Sequence, residues 1–475
     1  MIELTPERIA EEAGAEIVRE GRGGRPERAA IDSREAAPGE LFFGLRGERA
    51  DGGEYAATAL GAGAWGVVVE PGRARRLATT AAPGWVFAAA DPLAALQWLA
   101  RAWRRELDCP VVGITGSTGK TSVKDICRAI LPFRTHASPE NFNTEVGLPL
   151  AVLAAPPETE LLVLEMAMRG LGQIAELCEI AEPDVAAITN VGPVHLELLG
   201  TIEAIAAAKA ELLEGLAEEG RAVIPADAEA LEPHLHDRLT TVTFGPGGDV
   251  FALRAQRRDG GLKAVIGTPH GEATFELPFT EQHNLLNATC AVAIGVALDA
   301  PLEQMARRAP RISFSRLRGE LIELPGGSVL VNDCYNANPI SMHAALDHLA
   351  SIEVAGRRIA VLGGMAELGP GAPGYHREAA AHARGLGIDA IIGVGELARD
   401  YAADEWAPDP EAAVAVAEGI SGEGDAILVK GSRAVGLEHF TEAYVRAISS
   451  KGASATGDPS SARIRPGMSR SPKDD

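Results

Sequence analysis

Aromatic residues are scarce in this chain. Phe, Trp and Tyr make up 4% of its 475 residues, so the cores must be built largely from Ala, Val, Leu and Ile. Cysteine is scarcer still. Cys109, Cys127, Cys178, Cys290 and Cys334 are odd in number, scattered, and never form a CxxC pair. That excludes a disulfide scaffold and a zinc ribbon, and fits a reducing cytosol. Positive charge is in deficit: 44 Lys plus Arg stand against 66 Asp plus Glu, a formal net charge of −22. Such a chain repels nucleic acid and anionic membrane at long range. No apolar run reaches the roughly 18–20 residues of a membrane span. The start, MIELTPERIAEE, carries acids where a secretory signal needs an apolar core. The expectation is a cytoplasmic monomer with no nucleic-acid partner and no stable membrane insertion. An anionic small ligand needs a site with its own local donors.

What is present is a long α/β pattern, too long for one hydrophobic core. Thr5 and Pro6 open a short helix over 5–13. Apolar runs at 41–43 and 67–69 follow, then an Ala-rich helix over 91–107, and a boundary falls at Asp108-Cys109-Pro110. Strand–helix alternation begins there. Strands are expected over 111–115, 161–164 and 185–189, and helices over 120–130, 172–180 and 202–216, the pattern of a parallel sheet covered by helices. Residues 240–278, richer in Gly, Thr and Phe, predict a small antiparallel patch, and 283–298 a helix. From about Arg311, strands over 329–331, 359–362, 391–394 and 427–429 alternate with Ala-rich helices, again a doubly wound arrangement. After Ser449 no apolar periodicity remains, which predicts a disordered tail. The expected organisation is α/β in three domains: a small α/β domain (1–108), a central parallel-sheet domain (109–310) and a C-terminal doubly wound, Rossmann-like domain (311–449), with a tail over 450–475.

Residues 111–122 read VVGITGSTGKTS. A buried strand, a glycine-rich turn, then Lys and Thr at a helix start is the order that phosphate binding needs. Glycines let backbone N–H groups curl round a phosphate, and the helix N-terminus adds partial positive charge. Gly116, Ser117, Thr118, Gly119, Lys120, Thr121 and Ser122 thus form a candidate ATP loop. Lys120 would neutralise phosphate and Thr121 offer a hydroxyl to Mg²⁺. Ile114 stands where the strict pattern has its first glycine, so a chance Gly-rich turn with an exposed Lys is the alternative. Glu165 follows a predicted strand at its carboxyl end, where a carboxylate suits Mg²⁺; a solvated loop acid is equally compatible. His195, in NVGPVHLE, is a lone loop histidine. Lys209, in AAAKAEL, reads by itself as an ordinary helix lysine.

TGSTGKTS, NFNTEVGLPL, LEMAMRG, NVGPVHLELLG, AAAKAEL and EQHNLLNATCA occur in this order and resemble the ATP-dependent Mur ligase family, over about residues 30–440. NDCYNANPISM and LVKGSR are similar to the branch that acts on a UDP-linked tripeptide, and the amino-terminal DSREAAPGELFFGLRGERADGGEY is similar to the uridine-nucleotide domain which that branch shares with its tripeptide-making sibling. The resemblance implies a uridine-nucleotide role for the first domain and an ATPase role for the second. The partners it implies are UDP-N-acetylmuramoyl-tripeptide and D-alanyl-D-alanine, joined with ATP and Mg²⁺ through an acyl phosphate. It further implies catalytic or metal-holding roles for Lys120, Glu165, His195 and Lys209, the last as a carbamate, with Thr121 on the metal. Asn287, Arg318 and Asp333 are implied to contact the nucleotide. Ser33, Arg34, Asn141, Asn336, Asn338, Lys430 and Arg433 are implied to contact the other substrates. Three positions depart from the family pattern: Ala167 after Glu165-Met166, Gly364 where members carry an acid, and Leu437 where Met is common. The open alternatives are the sibling ligase that adds the third peptide residue, an ATPase or kinase without ligation, and a non-catalytic UDP-sugar binder.

Overall fold

The computed structural model of the protein describes residues 4–34, 36–48, 50–80, 82–139, 141–258 and 260–456. The first sheet has five strands in the order Glu16–Arg19, Trp85–Ala88, Gly66–Val69, Glu40–Phe43, Arg28–Ala30. The first of these runs antiparallel and the others parallel. Leu41 to Phe43 and Val67 to Val69 are buried throughout, as near-continuous apolar runs covered on both faces must be.

The helix Pro92–Leu107 begins where the Asp91 carboxylate accepts from the N–H groups of Leu93 and Ala94. It does not belong to the first domain alone. Trp103 donates to the Ala155 carbonyl at 3.1 Å. Arg104 donates to the carbonyls of Ala181 and Glu182, both at 2.9 Å. Phe43, Val68 and Phe87 of the first sheet, Leu96, Leu99 and Trp103 of this helix, and Leu148, Leu162 and Leu177 beyond it share one continuous core.

The central sheet has six parallel strands in the order Thr240–Phe244, Arg221–Pro225, Val185–Ile188, Val111–Thr115, Leu161–Glu165, Thr135–Ala137. The antiparallel patch expected over 240–278 is therefore smaller than predicted. Thr240–Phe244 pairs in parallel with Arg221–Pro225, because Phe244 is buried in the same core as Val223 and the sheet edge claims it. Phe251–Arg258, Gly261–Thr268 and Gly271–Leu277 form the antiparallel sheet. Strand Val111–Thr115 lies between Leu161–Glu165 and Val185–Ile188. The connections leave in opposite directions there, which opens a ligand crevice at the carboxyl ends.

The third sheet runs Glu320–Glu323, Val329–Asn332, Ala426–Lys430, Arg358–Gly363, Ala390–Val394, Glu405–Ala407, with only the first strand antiparallel. Its two faces have cores of their own. The closing helix, Leu437–Thr456, overruns the tail boundary placed after Ser449. Phe440 and Tyr444 anchor it in the core, and each added turn then costs little to propagate. Residues 457–475, the rest of the expected tail, lie outside the described residues. No described helix is long and apolar enough to cross a membrane.

Candidate functional site

The phosphate loop is held open by the neighbouring strand's loop. Gly116 has φ +148°, and a Cβ there would sit 1.9 Å from Thr189 Oγ1, so no side chain fits. Thr189 in turn donates its hydroxyl to the Thr118 carbonyl. Asn190 accepts from Ser117 N at 3.1 Å through its carbonyl and from Thr118 N at 3.0 Å through its side chain. Ser117 Oγ and the Gly192 backbone exchange hydrogen bonds of 3.0 and 2.9 Å. Gly119, at φ +83°, lies against Asn287 Oδ1, which a Cβ would approach to 2.6 Å. Lys120 opens the helix Lys120–Ile130 and curls its ammonium back to the Gly116 carbonyl, 2.7 Å away.

Glu165, 2% exposed, is the hub. Its carboxylate accepts from Thr121 Oγ1 at 2.9 Å and from Asn143 Nδ2 at 2.8 Å. Arg318 reaches in from the far side of the domain junction and donates to Thr121 Oγ1 at 3.2 Å. The Arg318 guanidinium lies over the Tyr335 ring, 4.2 Å from its centre. Burial pushes the Lys120 pKa down and Arg318 adds to that, while Glu165 opposes both.

His195 and Lys209 complete the cluster electrostatically. Burial drives the Lys209 pKa well below its usual range, and the Lys120 charge adds to the effect. Among the described residues no carboxylate pairs with the Lys209 ammonium, although the side chain is 2% exposed. His195 stands at φ +54° ahead of the short helix Leu196–Leu199. Its Nδ1 bonds the carboxylate of Glu367, a third-domain residue. Burial lowers its pKa, Glu367 opposes, and Lys209 and Lys120 lower it further.

The oxygen donors at Thr121 and Glu165 fit a hard cation that keeps waters and shares phosphate oxygens. Among the described residues no three His, Cys, Asp or Glu side chains form a ready-made metal cage. Mg²⁺ is the ion such a sparse oxygen set suits. A buried lysine whose pKa is driven down is also what carbamylation requires.

On the third domain, Lys430 is buried and donates to Asp333 at 2.7 Å and to the Asn336 carbonyl at 3.0 Å. Asn338 caps the helix Pro339–Ser351 and also donates to the Ser117 carbonyl at 3.2 Å, so its side chain is tied to the phosphate loop. Asn336 is exposed, and its side chain accepts from Ala337 N. Arg433 is exposed and pairs with Glu438 at 3.2 Å. Asn141 faces the Tyr335 hydroxyl; Asn143, two residues on, is the one that reaches Glu165. Ser33 and Arg34 lie after the strand Arg28–Ala30, where Arg34 pairs with Asp32, away from this cluster.

Two of the departures lie against close neighbours. At Gly364 a Cβ would lie 2.4 Å from Leu397 Cβ, so an acid cannot enter without displacing Leu397. The loop is fixed instead by Met365 N donating to His376 Nε2 and Ala366 N donating to Ser432 Oγ, each at 2.8 Å. Leu437 is buried against Gly363 and Gly431. Sequence reasoning missed Asn143, Thr189, Asn190, Asp125, Ser315 and Glu367. Asn143 and Asn190 stood in quoted motifs. The others carried no local sign, because each acts on a partner far along the chain.

Residues 114–295 match the Mur ligase middle domain, and residues 317–433 the Mur ligase, glutamate ligase domain. The chain is 36% identical over 431 residues to the UDP-N-acetylmuramoyl-tripeptide–D-alanyl-D-alanine ligase of Bacillus subtilis, covering 87% of this chain and 92% of that one. The Escherichia coli ligase of the same name is 32% identical, with the same coverage. Among solved structures, a crystal structure of MurF from Acinetobacter baumannii superposes with a TM-score of 0.83 at 26% identity, covering 93% of this chain and 98% of that one. The MurF ligase from Thermotoga maritima, in complex with ADP, gives 0.77 at 29%, covering 90% and 98%. Matched across two consecutive domains and along most of its length, the chain belongs to the Mur ligase family.

Proposed function

We propose that the chain is an ATP-dependent amide ligase of peptidoglycan precursor synthesis. It joins D-alanyl-D-alanine to UDP-N-acetylmuramoyl-tripeptide and releases the UDP-linked pentapeptide, ADP and phosphate. It acts as a cytoplasmic monomer. The observation that carries this reading crosses a domain boundary. Arg318 of the third domain bonds the Thr121 hydroxyl, which bonds buried Glu165 beside Lys120. A free carboxylate is a poor acylating agent because its leaving group would be oxide. ATP and Mg²⁺ supply the remedy: a phosphoryl group that makes the carboxylate oxygen a leaving group, and charge to neutralise the phosphates.

The chain's own residues then have distinct tasks. Two anions must meet, so positive charge has to be concentrated where the phosphoryl group moves. Lys120 and Arg318 provide it, one from each domain. The backbone N–H groups of residues 116–121 cradle phosphate at the helix N-terminus. Thr121 and Glu165 would hold Mg²⁺, with His195 near them; Lys209 would contribute once its amine has added CO₂ and released a proton to become a carbamate anion. Asn287 and Asp333 hold the nucleoside. Ser33 and Arg34 take the uridine diphosphate, and Asn141, Asn336, Asn338, Lys430 and Arg433 line the path of the peptide and the incoming amine. That amine attacks the activated carbonyl, and phosphate leaves. The deciding assay is phosphate release with defined UDP-linked tripeptides. Release that requires D-alanyl-D-alanine supports ligation; release without any amine would make the protein an ATPase.

A further inference from the structure

A pocket lies between the helix Gln282–Ala297 of the central domain and the helix Pro339–Ser351 of the third. Glu281, Asn284 and Asn287 line one wall, and their three-residue spacing puts them on one face. The Asn287 end abuts Gly119 of the phosphate loop. Glu281 lies six residues earlier, ~9 Å along the helix axis at 1.5 Å per residue, which is about the reach of a nucleoside from its phosphates. At that far end His348 enters from the third domain. It is 6% exposed, and among the described residues neither ring nitrogen makes a hydrogen bond. Its Nε2 stands 3.4 Å from Glu281 Oε1, too poorly aligned to bond. Glu281 Oε2 accepts from Thr280 N at 2.9 Å, which leaves Oε1 without a hydrogen bond among the described residues. Buried polar groups in folded proteins nearly always have partners, and one without is costly.

We propose that His348 and Glu281 together read the amino-bearing edge of the adenine ring, and so set the preference for adenine over guanine nucleotides. The inference rests on the ATP reading given above and deepens it. Adenine carries an exocyclic amino donor beside a ring-nitrogen acceptor. A carboxylate oxygen accepts from the first, and an imidazole N–H donates to the second. Guanine places a carbonyl oxygen where the amino group would be, directly against the carboxylate. Burial pushes the His348 pKa down although Glu281 opposes it, so the ring is neutral and keeps one N–H and one lone pair. The pair spans two domains, so the base is read by both walls only when they meet.

The test is calorimetric titration of the full-length protein with Mg²⁺ and ATP, GTP or purine riboside 5′-triphosphate, which lacks the amino group. The wild type should bind ATP at least about tenfold more tightly than either analogue. His348→Leu should lose about tenfold for ATP and for the purine riboside triphosphate, since both keep the ring-nitrogen acceptor, and much less for GTP, which the carboxylate already holds out of this register. His348→Gln, which retains a donor, should recover part of the ATP affinity and guards against a folding defect in the leucine variant. Glu281→Gln should narrow the gap between ATP and GTP. An equal loss for ATP and GTP in His348→Leu would overturn the inference, since the histidine would then only pack the junction. Wild-type binding of ATP without discrimination would overturn it too while leaving the ATP reading intact. Failure to bind any triphosphate would remove that reading itself.

Discussion

Asp125 offers a way to separate stability from catalysis. It lies one turn into the helix that follows the phosphate loop and is 1% exposed. One carboxylate oxygen accepts from Lys124 Nζ at 2.9 Å; the other accepts from Ser315 N and Ser315 Oγ, each at 2.8 Å. Ser315 lies three residues before Arg318, on the segment that links the two domains. Replacing Asp125 by Ala strands a lysine that is itself only 2% exposed. Removing one member of a buried ion pair costs ~3–5 kcal/mol. For a unit of about 200 residues, each kcal/mol lowers the melting temperature by ~2–4 °C, so the central transition should fall by ~6–20 °C. Adding Lys124→Met removes the orphaned charge and fills its volume. What remains is the loss of the hydrogen bonds to half-buried Ser315, ~1–2 kcal/mol or ~2–8 °C. Turnover should not recover in step. Ser315 still lacks its anchor, Arg318 loses its fixed approach to Thr121, and kcat/KM for ATP should stay about tenfold down, or ~1.4 kcal/mol. Scanning calorimetry and amine-dependent phosphate release measure the two effects on the same samples. A double variant that melts as low as Asp125→Ala would refute the buried-charge argument, and full recovery of turnover would refute the anchoring argument.

Three further outcomes are expected. Lys120→Ala should abolish ligation in a folded protein, since a charge-assisted phosphate contact contributes ~1.5–3 kcal/mol to binding alone; near-wild-type turnover would remove Lys120 from the site. Lys209→Arg should be inactive despite its retained charge, because guanidinium cannot become a carboxylate, and wild-type activity should fall when CO₂ is stripped, most at acidic pH where carbamates decompose; an active arginine variant would end that assignment. His376 is fully buried, its pKa lowered by burial although the Ala372 carbonyl opposes, and its Nε2 must stay unprotonated to accept from Met365. The unfolded chain therefore takes up a proton near pH 6.5 that the folded protein refuses. This contribution is complete above that pH and is lost as pH falls toward the folded value. Melting curves from pH 8 to 5 should slope less for His376→Gln than for the wild type, and identical slopes would exclude the effect.

The strand, glycine turn and helix over 111–130 were legible because all of their information is local. Strand Val111–Thr115 and helix Lys120–Ile130 fall where apolar run, glycines and helix start put them. The parallel central and third sheets were legible for the same reason, since each strand–helix pair announces itself. Strands such as Arg28–Ala30 and Glu405–Ala407, three residues each, are too short to show a period. Lys124 and Asp125 look like an ordinary solvated helix pair, yet they are buried, because what covers them arrives 190 residues later. Glu367 reaches His195 across 172 residues. Glu281 and His348 are single polar residues on two separate helices, and nothing local marks them as facing each other. Chemistry assembled across a domain junction leaves no period in the chain.

The shared core of the helix Pro92–Leu107 has a consequence for what the protein can measure. The first and central sheets are joined by apolar packing and by Trp103 and Arg104. The described contacts between the phosphate loop's own helix and the third domain are polar, at Asp125–Ser315 and Thr121–Arg318. The first two domains therefore pack as one body; on the proposed function it carries the uridine end at one mark and the phosphate loop at the other. On the proposed function, a peptide too short cannot bring its carboxylate to Lys120 and one too long overshoots it. The fixed separation grades the substrate by length before any side chain of the peptide is inspected.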